Sequence, residues 1–338
     1  MIIDLTDTTA SKISAALVQA RARAGGSAMG AVLTLVVATE EKDHYDAMKA
    51  ASTAAREHPA RILIVVHRPE SASARLDAEI RVGDDTGPGE TVLLRIYGEL
   101  SAHADSVILP LLLPDTPVVV WWPSAGPDVP AKDALGLFAT RRVTDAAASV
   151  KPLNKLKQLA AGYTPGDTDM SWTRLTPWRS LLASSLDQHT TLVSAATVSA
   201  EANNPSAELL ALWLTERLNI PVTRKSDAGP GITSVELTTQ DGGIKVDRPD
   251  GLLAVLSMPG QPDRPVALKR RELADLVAEE LRRLDPDDIY AAVINRVGNP
   301  DPTPVAGPAP QPEVAPEDQG PVTSETAAEP AGSDGSAG

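Results

Sequence analysis

Two nearly unbroken apolar runs with a helical stretch between them limit this chain more than any other feature. The first, GAVLTLVVATEE at 30–41, has too few polar residues to face water on either side, as expected of a strand buried on both faces. KDHYDAMKAASTAAREH follows as a helix, and ARILIVVHR at 60–68 reads as a second buried strand. Strand, helix, strand in that order implies a parallel pair with a crossover helix, and so an α/β sheet.

The surrounding elements follow from the same patterns. TASKISAALVQARARA places Ile13, Leu17 and Val18 at helical spacing and predicts a first helix. RLDAEIRV and ETVLLRIYG alternate across the turn-rich GDDTGPG and predict an antiparallel hairpin or meander. HADSVILPLLL reads as a short helix before the strand TPVVVWW. AKDALGLF and VKPLNKLKQLAAGY read as helices, with a short strand around Val143 between them. The polar TPGDTDMS marks a boundary, giving a mixed α/β domain with a partly parallel sheet over 1–165.

Beyond it, Thr176 is the expected N-cap of a helix with Pro177 at its first position. TTLVSAATV reads as a strand and PSAELLALWLTERL as a helix; the latter's Trp213 is assigned to the core. Four β-like runs at 221–225, 232–239, 243–248 and 252–258 predict an antiparallel sheet. KRRELADLVAEELRRL then lines Leu273, Leu276, Val277, Glu280, Leu281 and Leu284 along one helical side. An α+β domain is expected over 166–297. The segment 298–338 carries nine of the 29 prolines and seven acids without one Lys or Arg, and is expected to be a disordered acidic tail.

Charge and residue usage exclude several classes of function. The formal net charge is −14, half of it in that tail, and no basic stripe offers a footprint for nucleic acid. The absence of cysteine from all 338 residues removes disulfides, thiol nucleophiles and thiolate metal sites. The first 30 residues lack the apolar core of a signal peptide, and prolines break the most apolar stretch at 107–122. A cytoplasmic protein with neither membrane nor nucleic-acid partners is expected.

Motifs for chemistry are sparse. The glycines of GGSAMG (Gly25, Gly26, Gly30) stand before the strand rather than after it, so they cannot present a helix N-terminus to pyrophosphate. His44, His58, His67, His103 and His189 show no zinc spacing. His67 and Arg68 close a parallel strand at its carboxyl end, where α/β sheets bind ligands. The acidic pairs Glu40-Glu41, Asp84-Asp85 and Asp287-Asp288 fall at element ends, where caps and solvation account for them. No catalytic residue, metal or cofactor is assigned.

Four of the five tryptophans fall in two short segments. Trp121 and Trp122 end a strand, so alternation sends their indoles to opposite faces. Trp172 and Trp178 bracket Arg174, with Arg179 adjacent, and Trp and Arg are the residues most enriched at interface hot spots. Two readings stay open: these clusters hold the interdomain core, or at least one forms a binding surface.

PLLLPDTPVVVWWPS, LFATRRVTDAAAS and DMSWTRLTPWRSLLA resemble the OpcA family, the glucose-6-phosphate dehydrogenase assembly proteins, in their actinobacterial form. The resemblance spans roughly residues 30–297. It implies a non-enzymatic accessory protein that binds glucose-6-phosphate dehydrogenase, promotes its active oligomer and allosterically raises its activity, feeding the oxidative pentose phosphate pathway and NADPH supply. Cyanobacterial relatives are linked to redox control through cysteines, which this chain lacks. The family supplies no catalytic residues to carry over, so Trp121, Trp122, Trp172, Arg174, Trp178 and Arg179 are expected to form or brace the partner-facing surface on the Trp/Arg argument alone. The alternative is a sugar-phosphate or nucleotide-binding enzyme or sensor, its ligand near His67, Arg68 and Trp122. A partner docking on Lys269, Arg270, Arg271, Arg282 and Arg283 is a further option.

Overall fold

A computed structural model describes residues 1–23, 30–83, 90–124, 126–188 and 192–298. Gly25, Gly26, Asp84, Asp85, His189 and the tail beyond 298 lie outside them. Eight strands make the first sheet: β1 (Ile2–Leu5), β2 (Leu33–Thr39), β3 (Ala60–Arg68), β4 (Arg75–Val82), β5 (Glu90–Tyr97), β6 (Val118–Trp121), β7 (Arg141–Thr144) and β8 (Asp167–Asp169). Their order is β1-β4-β5-β3-β2-β6-β7-β8. The six from β5 to β8 in that order run parallel, and β4 and β1 add an antiparallel margin beside β5. The fold class is the expected α/β one.

Every residue of β2 is buried, because helices cover both faces. On one side α1 (Ala10–Arg23) and α3 (Ala104–Ile108) pack Ile13, Leu17 and Val107 against Val36, Leu63 and Val65. On the other, α2 (His44–Ala54) packs Ala47 and Ala51 against Leu35, Val37 and Ile62. Adjacent strand residues thus serve opposite cores, as the two-residue period requires. The helix α4 (Pro152–Ala161) follows β7.

The rest of the chain opens with the short α5 (Met170–Thr173) and with α6 (Thr176–Asp187). The second sheet comprises β9 (Val193–Ala200), β10 (Val222–Ser226), β11 (Ile232–Thr239), β12 (Gly242–Asp247), β13 (Leu253–Ser257) and β14 (Arg264–Ala267), ordered β10-β9-β11-β12-β13-β14. It is antiparallel except for the β9–β10 pair. One face, with Val198, Val235, Leu237, Val246 and Leu256, packs on α6, on α7 (Pro205–Leu218) and on α9 (Asp288–Ile294). Trp213 of α7 is only partly buried against this core.

Several expectations need correction. The stretch 131–138 is not a helix: Pro130 and Gly136 reduce it to two 3-10 turns, and a Cβ at Gly136 would strike the Pro130 carbonyl. Within the polar TPGDTDMS, Asp167–Asp169 forms the buried strand β8, which the sequence does not suggest. Thr176 is the first residue of α6 rather than its cap, which is Leu175. The KRR at 269–271 precedes its helix, because Glu272 and Asp275 form a reciprocal cap that starts α8 (Leu273–Arg282). The strands β1 and β14 and the helix α9 had no counterpart in the sequence reading.

α8 follows the second sheet in sequence yet packs Leu276, Val277 and Leu281 on the first, beside α2. Likewise β8, just past residue 165, completes the first sheet. Among the described residues no helix is long and apolar enough to cross a membrane.

Candidate functional site

The four clustered tryptophans all lie inside the protein. Trp121 lies in the α2/α8 core with Met170 and Leu276, and Trp122 lies in the opposite core with Leu135 and Ala139. Trp172 and Trp178 join the core of the second sheet. All four are at most 5% exposed, which corrects the idea that the indoles themselves form a contact surface. Chain alternation and the second set of helices seal both faces of the strand that carries the first pair.

The arginines beside them are mostly committed inward. Arg174 clasps Asp145 through two bonds of 2.8 and 2.6 Å. Arg179 stacks over the Trp172 ring at 3.8 Å and donates to the Thr176 hydroxyl at 3.1 Å. Trp172 Nε1 donates to Asp287 Oδ2 at 2.9 Å, while Asp287 Oδ1 accepts the Ile289 and Tyr290 amides that begin α9. Burial pushes the Asp287 carboxyl up. The Tyr290 amide, the indole and Arg179 outweigh burial and leave it below its ordinary value.

A buried polar network joins β7, α8 and α5. Arg141 of β7 donates to Glu280 Oε2 of α8 at 2.9 and 2.7 Å and to the Asp285 carbonyl at 3.0 Å. The other Glu280 oxygen accepts from Thr173 of α5. Asp169, fully buried at the end of β8, accepts from Thr144, Ala146 and Ser171. Burial first, and then Asp145, raises its carboxyl above the usual range.

Taken in chain order, the six parallel strands stand third, second, first, fourth, fifth, sixth across the sheet, a doubly wound order. Ligands of such sheets bind beyond the carboxyl ends of the strands, at the switch point between β2 and β6. A recess sits there, lined by Thr39, Glu40, His67, Trp122, Ser124 and Asp133. His67 and Trp122 therefore meet, whereas Arg68 lines a different recess with Arg95 and Tyr97. Burial holds His67 below its ordinary value and favours its neutral form.

The turn after β2 is unsuited to pyrophosphate. It reads Thr39-Glu40-Glu41-Lys42-Asp43, without glycine, and Asp46 follows in the first turn of α2. Its carboxylates flank the start of that helix in sequence, and their charge opposes the phosphates of a dinucleotide there. Glu41 is further held by Arg68 at 2.9 Å.

A cluster of positive charge lies elsewhere. Arg174, Arg248, Lys269, Arg270 and Arg271 line one cavity of about 90 Å³ with Pro177, Trp178, Asn204 and Ser206, and no carboxylate is among its lining residues. It lies where α6 and α7 begin. The sequence marks Arg174 beside the tryptophans and offers Lys269, Arg270 and Arg271 as part of a basic docking helix, but it gives no sign of Arg248. Nothing local marks Arg248, which the sheet brings to the others. The outer face of the second sheet is open, and its β13–β14 edge exposes Leu253 and Val255 beside Ala267 and Pro265.

Fold and site together define a two-sheet α/β protein built on a doubly wound sheet whose nucleotide turn is filled with carboxylates. A family model described as the glucose-6-phosphate dehydrogenase subunit N-terminal domain matches residues 51–161, and one described as the corresponding C-terminal domain matches residues 165–294. The chain belongs to the OpcA family of glucose-6-phosphate dehydrogenase assembly proteins. Among solved structures it is similar to KijD10, a 3-ketoreductase from Actinomadura kijaniata in complex with TDP-benzene and NADP in the open conformation. That similarity has 11% identity and a TM-score of 0.45, over 78% of this chain and 95% of that one. It is also similar to an oxidoreductase from Sinorhizobium meliloti, with 10% identity and a TM-score of 0.46 over 79% and 95%. A dehydrogenase (MviM) from Clostridium difficile gives 7% identity and a TM-score of 0.41 over 78% and 96%. Likenesses this distant carry no inference about ligand or chemistry. No curated protein matches the chain.

Proposed function

We propose that this protein is a non-enzymatic, cytoplasmic partner of glucose-6-phosphate dehydrogenase that binds the enzyme, favours its active oligomer and raises its activity. The observation that carries this reading is the pair of family matches, whose descriptions name that dehydrogenase across 51–161 and 165–294. The acidic turn after β2 supports the non-enzymatic part, because it disfavours the phosphates of a nicotinamide cofactor at the switch point. An activator works only by binding the active state better than the inactive one, so its effect saturates with complex formation. The metabolic consequence would be NADPH supply through the oxidative pentose phosphate pathway.

For the contact we assign the outer face of the second sheet around Leu253 and Val255, where Leu252 is exposed beside them. Trp172 and Trp178, with Arg174 and Arg179 beside them, then act as braces beneath this sheet, while Trp121 and Trp122 hold the cores of the first sheet. The test is a titration of purified dehydrogenase from the same source with this protein, following the rate. A saturable rise in kcat, or fall in KM, is expected; a rate unchanged at every ratio rejects the reading.

A further inference from the structure

We propose that the cationic cavity between the starts of α6 and α7 binds a tetrahedral oxyanion, the phosphate group of a small phosphorylated metabolite. Five cations line it without a carboxylate, in a chain whose formal net charge is −14. Three are already neutralised or partly so: Arg174 by Asp145, Arg271 by Glu279, and Lys269 by the exposed Glu272 at 3.7 Å. Arg248 and Arg270 have no ion-pair partner among the described residues.

Arg248 is the decisive group. Only 5% of it is exposed, yet its guanidinium bonds just two carbonyls, those of Leu268 at 2.9 Å and Ile232 at 2.8 Å. Its Nε is buried with no partner. The Trp178 ring lies 4.9 Å from the guanidinium carbon and fixes its plane. Asp250 is the one acid that acts on it electrostatically, but Asp250 Oδ1 already accepts the Leu252 and Leu253 amides at 2.8 and 3.2 Å. Burial and then Arg270 push the Arg248 pKa down to about 10, so it stays charged at neutral pH while facing a second cation.

A purely structural arginine is satisfied by a carboxylate or a full set of carbonyls. Here a buried, charged donor, a like charge beside it and two helix starts converge on the same space. The buried donor and the like charge beside it are each unfavourable alone, and an oxyanion held at the two helix starts answers both. A phosphate group suits donors arriving from several directions, whereas a planar carboxylate meets one fork. Arg270 is steered into place by the turn at Gly251, whose φ of +73° excludes ordinary residues and whose Cβ would meet the Arg270 side chain at 3.3 Å.

The experiment uses the full chain without any dehydrogenase, so its failure and that of the assembly reading are separable. Inorganic phosphate, a hexose monophosphate and the unphosphorylated hexose are titrated by calorimetry and thermal melting, against chloride at equal ionic strength. Saturable binding of the phosphorylated probes alone is expected, with the Kd raised about tenfold or more in Arg270→Gln and in Arg248→Lys. The exposed Arg270 position keeps the test valid if Arg248→Lys fails to fold. Tighter binding of the hexose monophosphate than of phosphate identifies a sugar phosphate as ligand; equal binding identifies the phosphate group alone. No binding above the chloride control, or equal binding by wild type and Arg270→Gln, overturns the proposal.

Discussion

Two indoles of similar burial differ in what their nitrogens do. Trp172 Nε1 is bonded to Asp287, whereas Trp121 Nε1 is buried with no partner among the described residues. Trp172→Phe therefore loses a charge-assisted bond worth about 1.5–3 kcal/mol, while Trp121→Phe removes an unsatisfied donor and costs less for the same change of shape. Urea unfolding of the two variants checks that order. Asp287 adds a pH test. Its folded pKa lies below the unfolded one, so its contribution is present above about pH 4 and is lost as pH falls through the folded value. Asp169, Asp167 and Glu90 have raised values and contribute in the opposite sense. The difference between wild type and Asp287→Asn isolates the term: it should shrink on acidification below pH 4, and a constant difference would refute the assignment.

At the level of elements, sequence legibility followed polarity. The strands β2 and β3 and the alternating β4 were readable because apolar period and burial agree in them. The strand β8 was not, since Asp-Thr-Asp looks like a loop until Arg142 and the bonds to Asp169 are in place. The helix α8 showed its apolar side, but nothing local said which sheet it would cover. The cationic cavity was illegible for the same reason: Arg248 and Arg270 meet only through the sheet. The Trp121/Trp122 split was legible from alternation alone, but their sealing by helices was not.

The same element scale gives two mutational expectations. Arg141→Met alone leaves Glu280 buried and unpaired and should cost about 3–5 kcal/mol, most of it regained in Arg141→Met with Glu280→Leu. A double-mutant cycle by denaturant unfolding measures this. On β13, Val255→Asp should weaken dehydrogenase binding about tenfold or more with an unchanged melting temperature. Unaltered affinity would move the contact away from this face.

Across the whole molecule, chain order and spatial order interlock. The strand β8 completes the first sheet after residue 165, and α8 returns to it after the second sheet. The division at 165 is thus a proposal about the chain rather than about independent bodies. The prediction is a single unfolding transition in which far-ultraviolet and tryptophan signals coincide; two separated transitions would contradict it. Among the described residues, cores lie on both faces of one sheet and on one face of the other, and the outer side of the second sheet is left uncovered.

Sedimentation velocity of purified glucose-6-phosphate dehydrogenase, alone and with this protein, tests most directly whether that scaffold exists to hold the enzyme. A new, faster boundary containing both proteins is expected, with the free boundaries depleted in proportion. Two boundaries that keep their separate rates at micromolar concentrations would contradict the account.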